Sequence, residues 1–258
     1  MDRYIDMHSH LDFADDYIDI AKQAQKNNIT SLCSTVVPSS FVSARAALKE
    51  TPSMHVSLGL HPWWVGDMRV SEVDIDRFES LLCETRFVGE IGLDLHVRHE
   101  GSLKRQLDVL DRILSAIAQD GSSRLITLHC VKSAGLVIDK LEQHDIFKNN
   151  DVLFHWFSGT EDDFARACSK GCYFSVGMKM LATRSGRRFA RAIPDSMLLL
   201  ESDLPAHEGA AFSAELWRHE LDGALRDMAD IRSVDNNILS DIVFSNSSGL
   251  LSKYCEMR

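Results

Sequence analysis

The sequence predicts an α/β protein, a single distorted barrel of the (β/α)8 TIM type spanning residues 1–258 as one domain. Three observations lead there. Short apolar runs recur roughly every 20–40 residues, and the spans between them carry the 3.6-residue period of amphipathic helices. The runs are continuously apolar instead of alternating, as strands covered on both faces of a parallel sheet must be. Polar residues of one chemical kind follow several runs, as they do where strand ends line the mouth of a barrel.

The elements follow in order. Strand-like runs fall at 3–7, 30–37, 55–60, 87–93, 124–128, 152–154, 172–176 and 197–200. Helical periodicity falls at 17–26, 40–48, 73–82, 103–118, 134–142, 162–169 and 211–227. Eight strand-like runs separated by such helical spans fit a closed barrel better than an open sheet. No GxGxxG opens a helix after the first run, which disfavours a dinucleotide-binding sheet. No repeat, low-complexity stretch or Pro/Gly/Ser-rich linker divides the chain.

Composition excludes several function classes. Apolar residues make up 45% and charged residues 26%, ordinary for a chain that buries its own core and unlike a disordered or fibrous one. No run of about 18 apolar residues is present, so no membrane helix is expected. The first strand begins almost at Met1, leaving no space for a signal peptide, and a cytoplasmic protein is expected. Its six cysteines are then reduced thiols, and Cys168 and Cys172 form a CxxxC without a second half, which excludes a zinc ribbon. A formal charge of −10 argues against a polybasic nucleic-acid binder, though not against a site made positive by bound metal.

The chemistry lies at the ends of the runs. Strand one carries Asp6, His8 and His10, which period-2 alternation places on one face. Strand three ends in Gly59-Leu60-His61-Pro62, and strand four places Glu90 and Asp94 on one face. Strand five ends at His129, strand six at His155 and strand eight at Glu201-Ser202-Asp203. Taken singly, each histidine has a structural reading as a hydrogen-bonded strand end. A lone Glu90 amid Val88, Ile91 and Leu93 is costly to desolvate, and no Lys or Arg lies in the nearby strand ends. A divalent metal resolves that charge problem. Histidine with carboxylate suits Zn²⁺ or Mn²⁺, and a carboxylate-rich open site also takes Mg²⁺. One carboxylate between two histidine pairs suits a bridge between two ions about 3.5–4 Å apart.

Asp6-x-His8-x-His10-Leu-Asp12, Gly59-Leu-His-Pro62, Gly89-Glu-Ile-Gly-Leu-Asp94, His129, His155-Trp-Phe-Ser-Gly159 and Glu201-Ser-Asp203 resemble the TatD family of metal-dependent deoxyribonucleases, distorted TIM barrels of the amidohydrolase-like group. The likeness runs end to end, through Ser245-Asn246 and Leu250-Leu251. It implies two divalent ions (Mg²⁺, Mn²⁺ or Zn²⁺), with His8, His10 and Asp203 on the first, His129 and His155 on the second, and Glu90 between them. It implies a water attacking a phosphodiester of DNA, oriented by Asp203, which accepts its proton. The expected activity is 3′–5′ exonuclease on single-stranded or frayed ends.

The substrate-binding residues depart from the family pattern. His129-Cys130-Val131-Lys132-Ser133-Ala134 stands where the family has His-Thr-Arg-x-Ala, so Lys132 replaces a phosphate-binding arginine with a point charge. Ser202-Asp203-Leu204-Pro205-Ala206 lacks the family's Ser and Tyr after the aspartate. His61 has two readings, a phosphate contact or packing under the Pro62-Trp63-Trp64 loop. Lys179, with Arg184, Arg187 and Arg188, forms a phosphate-facing patch or a solvated helix face. Trp63, Trp64 and Trp156 either pack the rim or stack bases, and packing is the commoner use. Cys130 is expected to be a buried thiol on the face opposite His129.

Divergent TatD-like proteins also serve in bacterial anti-phage cassettes such as the Qat type, which implies partner proteins as a further expectation. The alternatives from other classes are a small-molecule amidohydrolase, a histidinol-phosphatase-like phosphoesterase, and a weakly active metal-binding subunit of a larger complex.

Overall fold

A computed structural model of the chain describes residues 3–255. Its strands are β1 (Tyr4–Ser9), β2 (Ile29–Ser34), β3 (Met54–Ser57), β4 (Phe87–Asp94), β5 (Leu125–Val131), β6 (Asp151–His155), β7 (Tyr173–Val176) and β8 (Leu198–Leu200). Every residue of β1 and β4 is buried, which is why these runs read as continuously apolar or uncharged around a few functional groups. Helices alternate with them: α1 (Tyr17–Lys26), α2 (Pro38–Ala47), α3 (Pro62–Gly66), α4 (Glu72–Leu81), α5 (Leu103–Asp120), α6 (Ala134–Gln143), α7 (Glu161–Ser169), α8 (Met178–Leu181), α9 (Arg184–Ala192), α10 (Ala214–Arg232) and α11 (Asn236–Cys255). Boundaries follow local chemistry. Ser71 and Thr160 close capping boxes with Asp74 and Asp163, and Gly121, at φ +69°, ends α5 in the left-handed conformation open to glycine.

All strand pairs are parallel, in two ladders, β1-β2-β3 and β4 through β8. The ladders meet at two seams. At one, Leu58 bridges Val88, with Leu58 N–H donating to Phe87 O (3.0 Å) and Gly89 N–H to Leu58 O (2.9 Å). At the other, Asp203 N–H donates to His8 O (2.9 Å) and His10 N–H to Leu204 O (2.8 Å). The result is a distorted TIM-type barrel whose closure lies partly beyond the regular strands. Gly92 (φ +143°) lets β4 approach β5, since a Cβ there would stand 2.0 Å from His129 O.

The main core fills the layer between strands and helices. A smaller one lies inside the barrel, where Ile5, Met7, Leu32, Phe87, Leu125, Leu153 and Leu199 meet Leu250, Leu251 and Tyr254 of α11. That terminal helix therefore plugs the end of the barrel opposite the polar strand ends.

Several boundaries differ from the sequence reading. β3 stops at Ser57, short of 60, and β5 runs on to Val131, so His129 is within a strand. The helix expected at 211–227 spans Ala214–Arg232, and α3, α8, α9 and α11 join it. Strict alternation in β1 also fails. Its pairing with β2 shifts register between Asp6 and Ser9, and the irregularity turns Asp6 away from the side chains of His8 and His10.

Candidate metal centre

Glu90 is the hub. Carried by β4 and 1% exposed, its carboxylate is surrounded by five imidazoles. Oε2 lies 3.3 Å from His8 Nε2 and 3.2 Å from His10 Nε2. Oε1 lies 2.6 Å from His129 Nδ1, 3.1 Å from His155 Nε2 and 3.3 Å from His61 Nε2. Asp203, just past β8, brings Oδ1 to 3.5 Å from His10 Nε2 and 4.0 Å from His8 Nε2. The ring of His8 stacks on that of His155 at 3.9 Å.

The far sides of these rings are fixed by hydrogen bonds that set which nitrogen faces inward. His10 Nδ1–H donates to Ser34 O (2.8 Å), leaving Nε2 as the bare nitrogen of the neutral ring, and His8 Nδ1 meets Ser34 Oγ (3.1 Å). Asp94 Oδ2 accepts from His129 Nε2 (2.9 Å), so His129 presents Nδ1 to Glu90. This is the carboxylate–histidine arrangement that orients metal ligands. Asp94 is itself held by Trp63 Nε1–H (2.6 Å), His96 N–H (2.6 Å) and the Gln106 side chain, which grips its backbone. His61 is the exception. Its Nδ1 accepts from Trp63 N–H (3.1 Å), so in the neutral ring Nε2 carries the proton and is a donor.

Protonation is divided unevenly among these groups. Burial opposes ionisation of Glu90, yet His61, His155, His8 and His129 hold its carboxyl well below the usual range. Burial, aided by His155, pushes His8 down to about 3, and burial pushes His61 down to about 4. His10, His129 and His155 are buried too, but Glu90 and the carboxylates of Asp203, Asp94 and Glu201 respectively raise them above the ordinary imidazole value.

Among the described residues three donor groups, each with ligand atoms within 4.8 Å of one another, emerge: His8, His10 and Asp203; His8, Glu90 and His155; His61, Glu90 and His129. The residues fit divalent metal. His8 Nε2 and Glu90 Oε2, which face the cluster, are buried with no hydrogen-bond partner of good geometry among the described residues, which is costly for polar atoms unless something else coordinates them.

The expected substrate contacts separate. His61 joins the cluster directly. Lys179 lies instead against Asp203, donating to Oδ2 (2.8 Å) and to the backbone carbonyl (2.7 Å), so it orients that carboxylate. Lys132 is exposed, with no ion pair among the described residues. Asp6 does not enter the cluster. Its oxygens accept from His8 N–H, Ser202 N–H, Ser202 Oγ–H and Trp217 Nε1–H. Asp94 and Glu201 were legible as strand-end carboxylates, but not as supports of His129 and His155. Lys132, Trp156 and Asp203, just past β5, β6 and β8, have left-handed backbones (φ +55°, +39° and +54°) that no glycine announces. Such outliers concentrate at functional sites.

The geometry has counterparts among known proteins. A family model described as TatD related DNase matches residues 5–252. A TATDN1 homolog from Vairimorpha ceranae is 22% identical over 201 residues, covering 73% of this chain and 71% of its own. Among solved structures, YJJV, a TATD homolog from Escherichia coli, superposes with a TM-score of 0.79 at 22% identity, over 96% of this chain and 97% of its own. A hydrolase TatD family protein from Entamoeba histolytica superposes at 0.78 with 18% identity, over 96% and 98%.

Proposed function

The chain belongs to the TatD-related DNase family of metal-dependent hydrolases, and from that premise we propose that it is a two-metal 3′–5′ exonuclease acting on single-stranded or frayed DNA ends. The observation that carries the reading is Glu90, a carboxylate 1% exposed inside five imidazoles, whose Oε2 has two imidazole nitrogens at 3.2–3.3 Å but no hydrogen bond of good geometry among the described residues. His8, His10 and Asp203 would hold one ion, His129 and His155 the other, and Glu90 would lie between them. Bound there, divalent ions supply a nucleophilic water at neutral pH and neutralise charge on the phosphoryl oxygens.

The chain's own groups do the rest. Burial opposes it, but His155, His10 and the Lys179 ammonium hold the Asp203 carboxyl below its ordinary value, so it is ionised at neutral pH. Lys179 is held on Oδ2 and Oδ1 turns toward the histidines, and from there Asp203 would orient the attacking water and take its proton. His61, whose Nε2–H faces Glu90 Oε1 at 3.3 Å, would turn that donor to a phosphate oxygen when substrate binds. Asp94 holds His129, and Glu201, which accepts from Ser175 Oγ–H, lies 3.5 Å from His155 Nδ1.

The test is hydrolysis of an end-labelled single-stranded oligonucleotide by protein stripped of metal and then given Mg²⁺, Mn²⁺ or Zn²⁺ separately. Activity returns with metal. It falls by about 10²–10⁴-fold in Asp203→Ala and in Glu90→Gln, the range expected for removing a positioned acid–base group or a support of the metal-activated water. Unchanged rates in folded Glu90→Gln overturn the assignment.

The altered substrate-binding residues favour one second reading. Lys132 is exposed and Ala206 stands where the family has tyrosine, so a subunit working with partner proteins of an anti-phage cassette is the alternative. It gains support if the pure protein binds metal but cleaves no oligonucleotide with any ion.

A further inference from the structure

We propose that the indole of Trp63 is a stacking platform for one base of the unpaired DNA strand whose phosphate enters the histidine–carboxylate cluster; this rests on the nuclease reading above. The largest side chains of the core are fully buried, whereas Trp63, in the first turn of α3 at the mouth, is 40% exposed. Its one polar atom is already satisfied, because Nε1–H donates to Asp94 Oδ2, the oxygen that also accepts from His129. The surface it shows to solvent is therefore purely aromatic.

The ring is also held in place. His61 and His129 meet it edge-on, at 5.1 Å and 70° and at 5.7 Å and 75°. Trp64 and His99 run nearly parallel to it, at 6.5 Å and 4° and at 5.5 Å and 14°. The same orientation continues inward, from Trp64 to Phe13 (6.1 Å, 26°) and from Phe13 to His10 (4.9 Å, 11°). Ring planes thus share one direction from the cluster to the rim. A rigid exposed aromatic loses little conformational freedom when a flat ligand settles on it.

A nucleobase fits this surface better than another flat ligand because its backbone brings charge to fixed positions beside it. The Arg69 guanidinium sits 4.7 Å over the Trp64 ring, and Arg98 on the adjoining loop is exposed. Arg69 also meets Glu208 (3.7 Å) at the surface, and it and Arg98 are the cations that phosphates flanking a stacked base would draw on. A base within a duplex has both faces covered by its neighbours, so the platform selects unpaired ends.

The decisive comparison uses the full-length protein in EDTA at low salt. Binding of a labelled oligothymidylate is measured against an abasic oligomer with the same number of phosphates. Wild type favours the oligothymidylate by about 5- to 150-fold, the worth of one stacked base. Trp63→Ala closes that gap to within about twofold and leaves abasic binding unchanged, while Trp63→Phe keeps most of it. With metal restored, Trp63→Ala raises KM for oligothymidylate more than it lowers kcat.

Equal affinity of wild type for the two oligomers overturns the platform, as does a gap that persists in Trp63→Ala. Equal weakening of both oligomers in Trp63→Ala also overturns it, because Trp63 then acts only through Asp94. Hydrolysis without base dependence sinks the platform and leaves the nuclease reading standing. Neither binding nor hydrolysis of DNA sinks both.

Discussion

Asp6 belongs to the same short motif as His8 and His10 but does a different job, and the difference is one of hydrogen-bond arithmetic. Four donors converge on its two oxygens, and a carboxylate is the one side chain of that size that accepts from all four. Burial pushes the Asp6 carboxyl up to about 7, so the acceptor-only form is complete above that pH. Through these bonds it ties β1 to the segment after β8 and to Trp217 of α10, closing the seam on which Asp203 depends. At pH 8, Asp6→Asn sets an amide N–H₂ against buried donors, each costing about 1–3 kcal/mol when left without an acceptor. The expected loss is about 2–5 kcal/mol, read as a thermal midpoint lowered by about 4–20 °C. An unaltered midpoint at that pH shows that the seam does not depend on the carboxylate.

Elements were legible where burial imposes a pattern and hidden where it does not. The apolar runs that became β4 and β5 announced themselves, and polar residues ending them marked the mouth. The partners of those residues were not legible, because Trp63 to Asp94, Lys179 to Asp203 and Trp217 to Asp6 are contacts made by the fold across long stretches of chain. α11 escaped the periodicity reading because Ser245-Asn246-Ser247-Ser248-Gly249 at its middle has weak helix propensity and Ser247 interrupts its buried stripe. Helix α9 shows the opposite case, a strong pattern whose purpose the sequence left open. Its buried side is Gly186, Phe189 and Ala190, and its exposed side carries arginines. Arg188 pairs with Glu161, whereas Arg184 and Arg187 have no ion pair among the described residues. Both lie in the first turn, where a cation opposes the helix dipole, so helix stability does not account for them. Arg184→Glu with Arg187→Glu is therefore expected to raise the thermal midpoint slightly while weakening oligonucleotide binding. Each phosphate left without its arginine makes the dependence of log affinity on log salt shallower by about 0.7. An unchanged slope identifies α9 as a solvated face only.

At the scale of the molecule, the barrel assembles a cluster that is poorly matched to protons and well matched to cations, and pH separates the two. Without metal, His8 and His61 have folded pKa values below the unfolded imidazole value, near 3 and 4, so stability is lost as pH falls below about 6.5. His10, His129 and His155 are raised instead, so the stability their charged forms contribute is present below about 6.5 and lost as pH rises through their folded values. Asp6 acts in the same direction, because its raised carboxyl favours the folded state less as pH climbs from about 4 toward 7. The metal-free protein is thus expected to be most stable near pH 6–7, by order-of-magnitude linkage, and less stable on either side. Metal reverses the alkaline limb. Its histidine ligands must be neutral, so affinity rises as they lose protons. At a free ion concentration of about 100 times Kd the gain is about 2.7 kcal/mol, which for a chain of this size is about 5–11 °C in thermal midpoint. Melting curves from pH 6 to pH 9, with EDTA and with Mn²⁺ or Zn²⁺, should diverge as pH rises, and Glu90→Gln should bring the two curves back together. Coincident curves in the wild type at pH 8 would mean that the inward-facing atoms of His8 and Glu90 are satisfied without an ion. The two-metal reading would then fall with them.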